Sequence, residues 1–176
     1  AMFKACIRWI DRTFYPQAGD AWDRDIFREQ MLATLRPEMR ILDLVAGRGK
    51  SDALDFREHC EFVAGVDVDE AVLENPHVDK AKLISDGKIP YEDESFDLVF
   101  CYDVLEHVAE PEHFFSEVSR VLNADGHFLA KTPNRRHYVA CLARVLPEAC
   151  HRWIHRIRGR GERDTFPTFY RCNTRR

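Results

Sequence analysis

Residues 41–49 read ILDLVAGRG, a short apolar run followed directly by a turn that contains Gly47 and Gly49. The apolar residues predict a buried strand. Two glycines two residues apart let the backbone turn tightly and approach a ligand where a Cβ atom would collide. The amides of this turn and the start of a following helix favour a polar or anionic ligand group. A purely structural turn gives the same pattern, so the loop by itself leaves both interpretations open.

A second apolar run ends in GVDVD at residues 65–69, where Asp67 stands about 20 residues beyond the glycine turn. In a nucleotide-binding sheet, an acidic side chain at this place accepts hydrogen bonds from ribose hydroxyls. The alternative role is a helix N-cap, for which Asp69 is the better placed residue. We therefore predict that Asp67 contacts a ribose.

Short apolar runs alternate with helical patterns between residues 40 and 132, which is typical of βα units and a parallel sheet. The predicted strands lie near residues 41–44, 62–66, 83–84, 98–100 and 128–130. One amphipathic helix begins near Pro111 and ends before a turn at residues 123–126, and another at 26–35 is stopped by Pro37. Helices are also predicted within 3–14 and 142–157.

The composition is that of one globular domain: 176 residues, 45% hydrophobic and 32% charged. No apolar run approaches the roughly 20 residues that a membrane-spanning helix needs. The six cysteines lie far apart without a CxxC pair, which argues against a zinc knuckle and favours the reducing cytoplasm. Residues 135–176 carry 11 Arg and 3 Asp or Glu, so this segment has a charge of +8 in a chain of net charge −4.

Further motifs follow in order along residues 38–134: SDG at 85–87, IPY at 89–91, ESFD at 94–97, VLEHV at 104–108, EVSRVLNADG at 117–126 and KTPN at 131–134. Together with the two segments above, this series resembles the class I S-adenosylmethionine-dependent methyltransferases. The resemblance is to the group that includes the ubiquinone and menaquinone biosynthesis methyltransferases. It implies an α/β fold with a Rossmann-like, doubly wound, mostly parallel sheet. A reading as an NAD-binding domain would leave residues 85–87 and 105–107 unexplained.

The resemblance also implies a set of cofactor contacts. Those around the methionine part of S-adenosylmethionine are Asp43, Ala46, Gly47, Gly49 and the backbone of Cys101. Those around the nucleoside are Asp67 at the ribose, Val68 against adenine, and the Asp86-Gly87 turn, where Asp86 accepts from the adenine amino group.

The implied activity is methyl transfer to a small-molecule acceptor, with S-adenosylhomocysteine as the product. His107 is the candidate general base, because its ordinary pKa suits proton transfer near neutrality. The alternative is that Glu106 and His107 form a helix-terminal or packing pair. No metal is expected, since an exposed basic helix explains the spacing of Glu148, His151 and His155.

The sequence departs from the family pattern in two places. Val45 stands where the family usually has a glycine, and a β-branched residue disfavours positive φ, so the loop could shift or bind the cofactor less well. Members of the family generally continue with a helix and an antiparallel pair of strands, whereas this chain ends at Arg176. We therefore expect five strands with an uncovered edge.

We accordingly divide the chain into an N-terminal helical cap at 1–37, a cofactor-binding core at 38–134 and a basic helical segment at 135–176 that forms an incomplete substrate region. The rival interpretations are a non-catalytic binding module and an adaptor whose basic tail meets anionic lipid or nucleic acid. Nucleic acid is not expected, because no recognition motif accompanies the arginines. A helix carrying Trp153 and Ile157 would suit an anionic or lipid-linked substrate. The aromatic residues Phe166, Phe169 and Tyr170 form either a lid over the acceptor or simple terminal packing.

Overall fold

The computed structural model describes residues 23–133 and 168–172. Its longer elements, in chain order, are helix α1 (Asp23–Thr34), strands β1 (Arg40–Leu44), β2 (Phe62–Asp67), β3 (Lys80–Leu83) and β4 (Phe96–Tyr102), helix α2 (Pro111–Val121) and strand β5 (Leu122–Lys131). Single 3-10 turns lie between them at Asp52–Leu54, Arg57–His59, Glu70–Glu74 and Leu105–His107. The predicted helices within 3–14 and 142–157 lie outside the described residues.

The five strands form one sheet in the order β3-β2-β1-β4-β5, and every neighbouring pair is parallel. The predicted α/β class and parallel sheet are thereby confirmed. Strand order reverses between β1 and β4, which is the place where ligands bind in open sheets of this kind. Within the described residues, β3 and β5 form the two edges.

In the described part of the chain, α1 and α2 pack on opposite faces of the sheet, and each face is apolar because successive strand residues point to opposite sides. Phe27 and Met31 of α1 pack on one face, around Ile41 and Leu98. Val118 and Val121 of α2 pack on the other face, in a cluster with Leu42 and Val99. The two amphipathic helices predicted at 26–35 and after Pro111 thus form the layers on either side of the sheet, as in a doubly wound domain. No helix within 23–133 or 168–172 is long and apolar enough to cross a bilayer.

The helix expected after the glycine turn is not formed, and this expectation was wrong. Residues 52–54 form only a 3-10 turn. The Nη1 atom of Arg28, on α1, donates to the carbonyl oxygens of Ala53 and Asp55 at 2.8 and 3.0 Å. These carbonyls are thus bonded to a guanidinium instead of to amides one helical turn further on, which explains why no α-helix continues here.

The turn expected at residues 123–126 lies inside β5, as a bulge in its pairing with β4. Phe96 pairs with Leu122 and Leu98 pairs with His127, so the extra residues of β5 loop out between these pairs. The Nδ2 atom of Asn123 donates to the Asp97 carboxylate at 2.7 Å and holds the bulge against β4. The third predicted strand is also displaced slightly, since β3 ends at Leu83 and leaves Ile84 outside.

Candidate functional site

The carboxyl ends of β1, β2 and β4 meet at one edge of the sheet, and the glycine turn lies directly beyond β1. Asp43 lies near the end of β1 and Asp67 ends β2, while Cys101 lies one residue before the end of β4. The fold thus brings together residues that are far apart in the sequence at the place where strand order reverses. This is the edge at which the sequence predicted a ligand site.

Asp67 ties the glycine turn to the neighbouring strand. Its Oδ2 atom accepts from the amide of Gly47 at 2.8 Å, and its Oδ1 atom accepts from the amide of Asp69 at 3.0 Å. Asp69, not Asp67, caps the following 3-10 turn by accepting from the amide of Ala71. Each carboxylate oxygen of Asp67 has a second lone pair, so a ribose hydroxyl can be accepted in addition. The ribose contact itself stays a prediction.

Asp43 is buried, with only 8% of the residue exposed. In the described part of the chain, its carboxylate has no hydrogen-bond donor. Burial, with the nearby charge of Asp67, raises its pKa to about 8. Both effects disfavour the ionised form, since burial weakens the hydration of a charge and a neighbouring carboxylate repels it. A cationic group placed beside Asp43 would supply the missing partner.

The glycine turn takes three residues into the left-handed region, with φ of 69° at Val45, 55° at Gly47 and 67° at Gly49. The amides of Val45 and Ala46 both donate to the carbonyl of Val66, at 2.8 and 3.1 Å. The loop therefore keeps this turn although Val45 is β-branched. A Cβ atom added at Gly47 would meet nothing within 4 Å, so this glycine borders open space.

Sequence reasoning missed Asn75, a buried residue that contacts the same turn. Its Nδ2 atom lies 3.3 Å from the carbonyl oxygen of Ala46 and 3.1 Å from that of Gly47. A Cβ atom added at Gly49 would lie 2.2 Å from Asn75 Oδ1. The only signal in the sequence was an Asn-Pro pair after a short helical pattern, which indicates a turn and not a contact.

Asp86 and Gly87 occupy the tip of a two-residue turn just beyond β3. Their φ angles are 54° and 70°, and the amide of Lys88 donates to the carbonyl of Ser85 at 3.0 Å. Positive φ at both positions is the type I′ geometry that Asp-Gly favours. Asp86 is exposed, and His113 of α2 lies 3.0 Å from the Gly87 carbonyl. The turn is thus anchored while its carboxylate faces solvent.

Two predicted contacts differ sharply in exposure. Val68, directly after β2, is 67% exposed and offers an apolar surface beside Asp67. Cys101 is fully buried, and burial raises the pKa of its thiol well above the usual range. The thiol is therefore a neutral core group, and only the backbone of Cys101 is suited to the predicted ligand contact.

His107 lies on the 3-10 turn beyond β4 and is partly exposed, with its Nε2 atom 3.9 Å from Glu106 Oε1. Glu106 is buried and accepts from the Thr132 hydroxyl at 3.1 Å. The carbonyl of Glu106 also accepts from the amides of Phe169 and Tyr170, at 2.7 and 3.0 Å. The backbone of Phe169 and Tyr170 is thus bonded to the turn that carries His107. Phe166, Glu148, His151 and His155 lie outside the described residues.

Known proteins resemble the chain over this same core. Residues 42–130 match the model of a family described as a methyltransferase domain. An uncharacterized methyltransferase of Bacillus subtilis, YcgJ, is 31% identical over 106 residues, which are 55% of this chain and 42% of that protein. A probable S-adenosylmethionine-dependent methyltransferase of Mycolicibacterium smegmatis is 37% identical over 101 residues, 52% of this chain and 38% of that one. A ubiquinone biosynthesis O-methyltransferase of Neisseria meningitidis is 27% identical over 133 residues, 65% of this chain and 56% of that one.

Solved structures also resemble the chain. The crystal structure of YcgJ from Bacillus subtilis has a TM-score of 0.51 at 29% identity, covering 59% of this chain and 49% of that one. A protein of Pyrococcus horikoshii shares the fold, with a TM-score of 0.56 at 22% identity, covering 75% of this chain and 69% of that one. The chain spans about two-fifths to just over half the length of the three relatives. Because the family match runs from β1 to β5 and takes in half of the residues, this chain belongs to the methyltransferase domain family.

Proposed function

We propose that the chain transfers a methyl group from S-adenosylmethionine to a small-molecule acceptor. The observation that carries the proposal is the buried Asp43 carboxylate, which has no hydrogen-bond donor in the described residues and lies near the end of β1, just before the loop in which Gly47 borders open space. The family match supports methyl transfer, and the name of the Mycolicibacterium relative supports the cofactor.

The described residues fit such a cofactor. S-adenosylmethionine carries an ammonium and a sulfonium, and no cationic side chain of the described residues offsets the burial that raises the pKa of the Asp43 carboxyl. Gly47 borders space that a side chain would fill, which leaves room for the amino-acid end of the ligand. An anionic ligand group at this point would meet the buried carboxylate of Asp67.

When bound, S-adenosylmethionine supplies a methyl group that is already activated on sulfur. The work left to the protein is to hold the reactants in line and to exclude water. We assign Asp43, Ala46, Gly47, Gly49 and the backbone of Cys101 to the methionine part, and Asp67, Val68, Asp86 and Gly87 to the nucleoside. The exposed apolar surface of Val68 suits a flat base, and the carboxylate of Asp67 suits a ribose hydroxyl.

A proton must be removed only if the acceptor loses one. We assign this step to His107, because its ring is partly exposed beyond the end of β4, beside the buried Glu106. The H107Q variant keeps a similar shape but cannot accept a proton in this range of pH. It should bind the cofactor as the parent does while transferring methyl groups more slowly.

Calorimetric titration with S-adenosylmethionine, S-adenosylhomocysteine and NAD tests the proposal. We expect both sulfur nucleosides to bind and NAD not to compete. The D43N variant is the matched control, since it keeps the shape of the side chain and removes its charge, and it should bind both sulfur nucleosides more weakly. A folded chain that binds neither of them would contradict the proposal and favour a non-catalytic binding module.

A further inference from the structure

Asn75 directly follows the 3-10 turn Glu70–Glu74 and is only 8% exposed. Its backbone is extended, with φ of −70° and ψ of 115°, as expected of a residue that precedes a proline. Pro76 thus ends the turn abruptly, and the buried Asn75 side chain reaches the loop that follows β1.

Both polar atoms of the Asn75 side-chain amide form hydrogen bonds. Its Nδ2 atom donates to the carbonyls of Ala46 and Gly47, at 3.3 and 3.1 Å, and its Oδ1 atom accepts from the amide of His77 at 2.9 Å. A neutral amide is suited to this place, because it offers two donors to the loop and one acceptor to its own segment. A carboxylate would turn an oxygen toward two carbonyl oxygens.

The peptide unit between Ala46 and Gly47 is held at both of its polar atoms. Asn75 donates to its carbonyl oxygen, and Asp67 accepts from its N–H at 2.8 Å. Because a peptide unit is planar, two bonds on opposite sides fix its orientation. The path of the loop at Gly47 therefore depends on Asn75 as well as on Asp67.

Gly49 is explained by the same contact. A Cβ atom there would lie 2.2 Å from Asn75 Oδ1 and 2.7 Å from Asn75 Cγ, a distance that side chains do not tolerate. The second glycine of the turn thus makes room for Asn75. The close packing of the two residues shows that Asn75 is built into the turn and does not merely lie near it.

His77 extends the contact to the segment that follows. Its Nδ1 atom lies 3.2 Å from Asp55 Oδ2, and its Nε2 atom lies 3.4 Å from Asp52 Oδ1. Residues 75–77 therefore hold both the glycine turn and the 3-10 turn after it. These contacts hold the segment after the glycine turn, where a helix was expected.

We propose that Asn75 is a positioning residue for the cofactor loop, setting the orientation of the Ala46-Gly47 peptide that receives the methionine part of S-adenosylmethionine. This inference rests on the proposed function. It predicts that Asn75 affects binding of the methionine part of the ligand and not binding of the nucleoside.

The N75D variant tests this, since it keeps the shape of the side chain and removes both donors. Dissociation constants are measured for S-adenosylhomocysteine and for 5′-methylthioadenosine, which lacks the amino-acid part. We expect S-adenosylhomocysteine to bind at least about tenfold more weakly, and 5′-methylthioadenosine to change by less than about threefold. Hydrogen exchange of the amides in residues 44–50, without ligand, should become faster.

Asn123 offers a matched control at the distant bulge, where its Nδ2 atom donates to Asp97. The N123D variant also loses donors beside an acceptor, and it should change neither dissociation constant. If N75D does not fold, N75A gives the same comparison without an added charge.

An equal loss for both ligands, or no loss for either, would overturn the role of Asn75 and leave the proposed function standing. A folded parent chain that binds neither ligand would overturn the proposed function and this role with it. Unchanged exchange in residues 44–50 would overturn the orienting effect on the loop in either case.

Discussion

The carboxylate of Asp67 accepts a hydrogen bond of 2.8 Å from the amide of Gly47, a residue 20 positions earlier in the chain. The carboxylate that the sequence assigns to a ribose is therefore also the anchor of the glycine turn. Its second oxygen is bonded to the amide of Asp69. The proposed ribose contact and the observed loop geometry thus fall on the same side chain, which sets the expected size of its mutational effect.

The D67A variant should bind S-adenosylhomocysteine more weakly by about 1–3 kcal/mol, the usual cost of removing one partner of a buried polar interaction. The loss has two sources, the ribose contact and the released amide of Gly47. Calorimetric titration measures it. The D69A variant, which loses only a cap on the next turn, should bind almost as the parent does. An unchanged dissociation constant in D67A would contradict the ribose assignment.

The V45G variant should be more stable than the parent by about 1 kcal/mol. Val45 has φ of 69°, a region that costs an L residue about 1–2 kcal/mol, and it is 39% exposed, so little buried surface is lost. Part of the gain is offset by the greater freedom of glycine in the unfolded chain. Urea denaturation measures the free energy of unfolding.

The V68G variant is the control for that measurement, since Val68 is exposed but is absent from the positive-φ positions of the described chain. It should be less stable than the parent. We also expect V45G to bind the cofactor no less tightly. A marked loss of affinity would mean that valine contributes to the site in its own loop geometry.

The sheet could be predicted because its strands are continuous apolar runs with clear ends. Leu42 and Val99 lie in the core as their runs predict, and Asp43 and Asp67 lie at the predicted carboxyl edge. In a parallel sheet, the order of motifs along the chain also determines which strand ends meet. The location of the site therefore followed from local patterns.

The contacts around the glycine turn could not be predicted in this way. Arg28 bonds to the carbonyls of Ala53 and Asp55 from a helix 25 to 27 residues away, and Asn75 reaches Ala46 across 29 residues. The sequence around Arg28 and Asn75 contains no pattern from which these distant carbonyl partners could be predicted. Such tertiary hydrogen bonds decide between a helix and a 3-10 turn where the local preference is weak.

The R120M variant should lower the free energy of unfolding by about 2–4 kcal/mol. Arg120 makes a two-pronged contact with Glu117, at 2.8 and 2.7 Å, and also donates to the carbonyls of Ile89 and Tyr91. Its loss removes these bonds and loosens the segment after the Asp86 turn, which then keeps the bond from the Ile89 amide to Glu117. Urea denaturation measures the loss. The control is R36M, which should lose less than about 0.5 kcal/mol, because Arg36 forms an exposed pair with Glu38.

Asp43 should make the ligand-free chain less stable as pH rises. Its pKa is raised from 3.8 to about 8 in the folded state, so between these values the folded chain keeps a proton that the unfolded chain has lost. The stability is therefore fully present below about pH 4 and is lost as pH rises toward 8. The D43N variant should lack this contribution and gain at least about 1 kcal/mol over the parent at pH 8. Equal pH dependence of unfolding in parent and variant would contradict the unpaired state of Asp43.

Affinity for a cationic ligand should depend on pH in the opposite sense. Below its pKa of about 8, Asp43 is protonated, and binding of the ammonium of S-adenosylhomocysteine must first release that proton. The dissociation constant should therefore fall by up to about tenfold for each unit of pH between 5.5 and 7. The comparison is the ratio of the D43N and parent constants at each pH, because a pH effect that comes from any other group is common to both chains and cancels in this ratio. A ratio that stays constant across this range would show that Asp43 does not pair with the ligand cation.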